Sequence, residues 1–92
     1  MDEKKLKVLA VDDDLINLKL LKTMLMKTPN VSAVVEAKNG ADAIGILKTQ
    51  DDIDIILLDI IMPVMGGIEM LKVIRADESL RQLPVIVLTT DE

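Results

Sequence analysis

The 92-residue sequence contains no cysteine, no histidine and no aromatic residue. Without cysteine there is no disulfide, no thiolate zinc site and no thiol nucleophile. Without histidine there is no imidazole base, no imidazole metal ligand and no phosphohistidine. Without Phe, Tyr or Trp, the core must be filled by Leu, Ile and Val together with the six methionines. Those methionines read as gap-filling core rather than thioether metal ligands. No apolar run reaches the length of a membrane span, because Asp54 and Asp59 interrupt the longest candidate. The opening MDEKKLK has no apolar signal-peptide core, so a cytoplasmic location is expected. The formal net charge of −5 argues against a nucleic-acid surface. Any chemistry must come from carboxylates, hydroxyls, Lys, Arg and backbone.

Four short apolar runs alternate with three helical segments. LKVLAV at 6–11 predicts a buried strand. Residues 14–27 predict a helix, with Asn17, Leu20, Leu21, Met24 and Leu25 at helical spacing and Asp14 as its N-cap. Leu15, Leu18 and Met26 widen the apolar stripe beyond one face, so this helix is expected to meet neighbours on two sides. TPN at 28–30 ends it. VSAVVEA at 31–37 predicts a second strand, and NGADAIGILKT at 39–49 a second helix that begins near Asn39. DDIDIILLD at 51–59 predicts a third strand. IMPVMGG at 61–67 is a loop, marked by Pro63, Gly66 and Gly67. IEMLKVIRA at 68–76 predicts a third helix with Ile68, Leu71 and Ile74 along one face. LPVIVLTT at 83–90 predicts a fourth strand. Strands that are apolar throughout and joined by helices indicate an α/β protein with a parallel sheet covered on both faces.

The acidic residues fall where such a sheet binds ligands, beyond the carboxyl ends of its strands. Asp12 and Asp13 end the first strand and Asp59 ends the third. An aspartate after a strand is often only a helix cap or a solvated loop residue. Carboxylates at successive strand ends are different: if the first and third strands are neighbours, all three converge and need a cation. With only oxygen ligands, that cation is a hard one, Mg²⁺ or Mn²⁺. Thr89 at the end of the fourth strand adds a hydroxyl beside the same crevice. The set suits phosphoryl chemistry with a carboxylate as acceptor. Asp51, Asp52 and Asp54 lie at the opposite end and read as solvated, and Lys4, Lys5 and Lys7 as surface charge.

The stretches VLAVDDDLINLKLL, EAKNGADAIGIL, IILLDIIMPVMGGIEMLKVIR and LPVIVLTT, in this order and spacing, resemble a response-regulator receiver domain of the CheY-like kind. The resemblance covers almost the whole chain. It implies a flavodoxin-like parallel sheet, here of four strands in the order 2-1-3-4 with three helices. It implies a domain of a two-component signalling system that takes a phosphoryl group from a sensor histidine kinase or phosphotransfer protein onto Asp59. Asp13 would bind Mg²⁺ directly and Asp12 through water, with the backbone carbonyl of Ile61 as a further ligand. Thr89 would be the switch hydroxyl, and Pro63 would shape the loop after the acceptor. Gly67 matches the family's loop glycine, while Gly66 stands where the family has an acidic residue. Ile61 offers no polar side chain to orient an attacking water, so slow loss of phosphate is expected of the intact parent receiver.

A complete receiver has five strand–helix pairs, and this sequence ends just after the fourth strand. The expectation is therefore one domain over residues 1–92, incomplete at its C-terminus. No lysine matches the family's invariant one: Lys48 falls on the second helix and Lys72 on the third. Phosphorylation is expected to be impaired. The edge strand PVIVL and the widened first helix, through Leu15 and Leu18, are expected to drive formation of a homo-oligomer. No direct nucleic-acid binding, no membrane contact and no turnover of a substrate are expected. Two other readings exist. Asp12 and Asp14 also form the Asp-x-Asp pattern of haloacid-dehalogenase-type phosphatases, with Asp12 as nucleophile and Asp14 as general acid, but that leaves LLDIIMP unexplained. A non-catalytic association module is the other.

Overall fold

The computed structural model describes residues 5–59 and 66–88. Strands β1 (Leu6–Val11), β2 (Val31–Ala37), β3 (Ile55–Asp59) and β4 (Val85–Leu88) alternate with helices α1 (Leu15–Met26), α2 (Gly40–Thr49) and α3 (Gly67–Ala76). All pairings are parallel and the strand order is β2-β1-β3-β4. This is the expected four-stranded, flavodoxin-like sheet with three helices.

β1 and β3 are nearly continuous apolar runs because both of their faces are covered, whereas Ser32 and Glu36 of β2 and Ile86 and Val87 of β4 are exposed. Val8 and Ala10 of β1 pack with Leu18, Val34 and Leu57 on the α1 side. Leu9 and Val11 point the other way, among Ala43, Ile44, Leu47, Ile56, Leu58, Met70 and Ile74. Removing each such Leu or Ile side chain from water contributes roughly 1.5–3 kcal/mol. Local signals set the helix starts. Asp14 caps α1, accepting hydrogen bonds from Ile16 N and Asn17 N. Asn39 caps α2 by accepting from Asp42 N.

Several expectations shift. β3 begins at Ile55, not Asp51, because residues 51–52 turn and Asp54 is engaged elsewhere. The Asp54 carboxylate accepts from Lys7 N at 2.9 Å, and Asp54 N donates to Lys7 O at 2.8 Å. Lys7 Nζ pairs with both Asp52 oxygens at 3.0 Å. Lys7, Asp52 and Asp54 therefore stitch the start of β1 to the approach of β3, and are not merely solvated charge. β4 begins at Val85, since Leu83 N closes a turn onto Leu80 O and Pro84 has no N–H to give. Residues 89–90, placed in that strand by the sequence pattern, lie outside the described residues.

Two helix faces are also corrected. In α3 the buried residues are Gly67, Met70 and Ile74 and Leu71 packs beside them as expected, while Ile68 is exposed. In α1, Leu18 is the buried residue, with Leu21 and Leu25 packed beside it. Leu18 is thus not part of an uncovered face; Leu15, Ile16, Leu20, Met24 and Met26 are exposed. The methionines divide accordingly, Met70 into the core and Met24 and Met26 to the surface.

Candidate metal centre

β1 is the point at which the sheet changes direction, because the chain leaves it first toward β2 and later returns on its other side as β3. A parallel sheet opens a crevice there, beyond its carboxyl edge. Val11 lies opposite Leu58 in the β1–β3 ladder, so the residues that follow each, Asp12 and Asp59, emerge side by side. Asp12, Asp13 and Asp59 each offer a carboxylate oxygen, and these oxygens lie within 4.8 Å of one another. Asp12 and Asp59 are half-buried and Asp13 is exposed. The sequence predicted all three, and the fold brings them together.

Three carboxylates at this spacing repel one another. An all-oxygen donor set with no nitrogen or sulfur suits a hard divalent cation such as Mg²⁺. The residues present therefore fit that group.

The chain around the site is held by short contacts. Asp12 N donates to Ala37 O of β2 at 3.1 Å. Asp12 Oδ1 accepts from Asp14 N at 3.0 Å. Asp14 Oδ1 in turn accepts from Ile16 N at 2.9 Å and Asn17 N at 3.3 Å. The carboxylate of Asp14 is thereby committed to capping α1. This disfavours the phosphatase reading, in which Asp14 would serve as a general acid for Asp12. The backbone link from Asp14 to Asp12 was missed in the sequence, although an aspartate accepting from the amide two residues on is the ordinary Asx turn.

Thr89, the Ile61 carbonyl and Pro63 lie outside the described residues. Asp59 is paired with Leu88 in the β3–β4 ladder, and Thr89 follows Leu88 in the chain. Lys48 is placed at the far edge of the sheet, in a recess lined by Gln50, Asp51, Ile53 and Ser79.

Residues 8–92 match the family described as the response regulator receiver domain. The chain is 38% identical over 82 residues to stress response regulator protein 1 of Debaryomyces hansenii, covering 89% of this chain and 34% of that protein. It is 39% identical over 88 residues to chemotaxis protein CheY-3 of Vibrio cholerae, covering 96% of this chain and 66% of that one. The solved response regulator receiver protein from Pseudomonas putida superposes with a TM-score of 0.85 at 30% identity, over 99% of this chain and 73% of that one. The chain thus spans about a third of the Debaryomyces protein's length.

Proposed function

We propose, from the premise that this chain belongs to the response regulator receiver family, that Asp59 accepts a phosphoryl group from a sensor histidine kinase or a phosphotransfer protein. The supporting observation is the convergence of Asp12, Asp13 and Asp59 at the strand-order switch point. An oxygen of Asp59 attacks phosphorus, the phosphorus–nitrogen bond to the donor imidazole breaks, and an aspartyl phosphate forms. Asp12, Asp13, Asp59 and the Ile61 carbonyl would hold Mg²⁺. When bound, Mg²⁺ offsets the charge gathered on the phosphoryl oxygens and the carboxylates. Thr89, next in the chain after the partner of Asp59, would supply the hydroxyl that follows the phosphate. The chain is a phospho-acceptor that assists its own modification rather than a turnover enzyme.

Ile16, Leu20 and Met24 of α1 and Ile86 of the edge strand β4 are exposed, which favours association with a second copy.

The test is transfer of labelled phosphate from a phosphohistidine donor. Label that is released by hydroxylamine, as an acyl phosphate should be, and that is lost in Asp59→Asn supports the reading. Label retained in Asp59→Asn contradicts it.

A further inference from the structure

The orientation of the Asp12 carboxylate is set by a residue outside the cluster. Asp12 is pinned twice, through its own N–H on Ala37 O and through Oδ1 on Asp14 N. A hydrogen bond on one oxygen fixes the plane of a carboxylate, and so where its other oxygen lies. The donor is a backbone amide, so its direction depends on how residue 14 is held. Asp14 is held by its own side chain, which accepts from Ile16 N and Asn17 N and fixes extended backbone at φ −96° and ψ 111°. The next residue opens α1, and Leu18 one turn on is 1% exposed, locking the helix to the sheet. A chain of contacts thus runs from the core through Leu18, α1 and the Asp14 cap to the Asp12 carboxylate.

From this geometry we infer that Asp14 is a positioning residue for the metal site. It binds no ion itself; its cap aims its own amide at Asp12 and sets that carboxylate beside those of Asp13 and Asp59. The inference rests on the proposed Mg²⁺ site. It separates two effects of the third carboxylate in DDD. One is its negative charge, felt by any nearby cation. The other is its acceptor oxygen, which holds the amide. Asparagine keeps the acceptor and removes the charge, and caps helices about as well as aspartate. Alanine removes both.

The experiment is a Mg²⁺ titration of the intact chain and of Asp14→Asn, Asp14→Ala and Asp13→Asn, followed calorimetrically and by the amide resonance of position 14. Loss of an outer contact to a metal ligand lowers affinity roughly 10- to 100-fold. Because the amide survives in Asp14→Ala and only its restraint goes, a smaller loss of roughly 3- to 10-fold is expected there. Asp14→Asn should bind within about twofold of the native chain, since the cap ranking makes Asn and Asp equivalent. The position-14 amide resonance should shift on adding Mg²⁺ in the native chain and in Asp14→Asn. Circular dichroism checks that α1 persists in each variant. Native affinity in Asp14→Ala overturns the inference. Equal losses in Asp14→Asn and Asp14→Ala also overturn it, assigning the effect to charge. If the native chain binds no Mg²⁺, or Asp13→Asn binds as well as native, the site itself fails, which is a separate result from failure of Asp14.

Discussion

Gly45 is exposed within α2, and a Cβ built on it meets nothing within 4 Å. Glycine in a helix interior costs roughly 0.5–1 kcal/mol relative to alanine through backbone entropy. Gly45→Ala should therefore stabilise the chain by about that amount, read as a higher urea midpoint at unchanged slope. Asp77 shows a second single-residue effect. The Ser79 hydroxyl donates to Asp77 Oδ1 at 2.7 Å and Ser79 N donates at 2.8 Å, and these hold the Asp77 carboxyl below its ordinary value. A lowered folded-state pKa means a stabilisation present above the unfolded value and lost as pH falls through the folded one. Ser79→Ala should be less stable than the native chain near neutral pH, and the gap should narrow below about pH 4. A gap that is constant with pH would count against the hydroxyl contact. At this scale the sequence was informative where one residue type does one job: Asp14 and Asn39 cap helices as their chemistry dictates. Asp54 was not legible, because its partner Lys7 lies 47 residues away.

Among the elements, α3 shows how a period can be right while the centre of its buried stripe is misplaced. Of the expected stripe Ile68, Leu71 and Ile74, the last two pack with the core beside Gly67 and Met70, and Ile68 is exposed. The buried stripe is centred on Met70 and Ile74, with Leu71 at its flank. Only the position of the helix in the fold, where it lies beside α2, sets that centre. Met70→Ala should cost about 2–5 kcal/mol as a buried large-to-small change. Ile68→Ala should change stability by less than about 0.5 kcal/mol as a surface substitution. Denaturant unfolding of both variants checks the phase, and equal losses would contradict it. The beginnings of β3 and β4 were misread for a related reason. The apolar runs in DDIDIILLD and LPVIVLTT begin at Ile53 and Leu83, but ladder pairing starts only at Ile55 and Val85, where neighbouring backbones meet.

For the whole molecule, the parallel sheet was legible because the central strands β1 and β3, covered on both faces, read as nearly continuous apolar runs. The order β2-β1-β3-β4 came from the family resemblance rather than from periodicity. The convergence of Asp12, Asp13 and Asp59 then followed, since residues after neighbouring strands must meet. Surface character follows too. Ile16 is 70% exposed and Met24 65%, on a helix whose charged residues are all lysines. For the 92-residue polypeptide, a thermal midpoint that rises with protein concentration is expected, and Leu20→Lys should weaken that dependence. A midpoint independent of concentration would remove self-association from the account.

The most direct measurement of the central claim is the intact mass of the chain after incubation with Mg²⁺ and a small phosphoryl donor, beside Asp59→Asn. The expected result is addition of one phosphoryl group, dependent on Mg²⁺ and absent from Asp59→Asn. An adduct that persists in Asp59→Asn, or no adduct while Mg²⁺ binds, would contradict it.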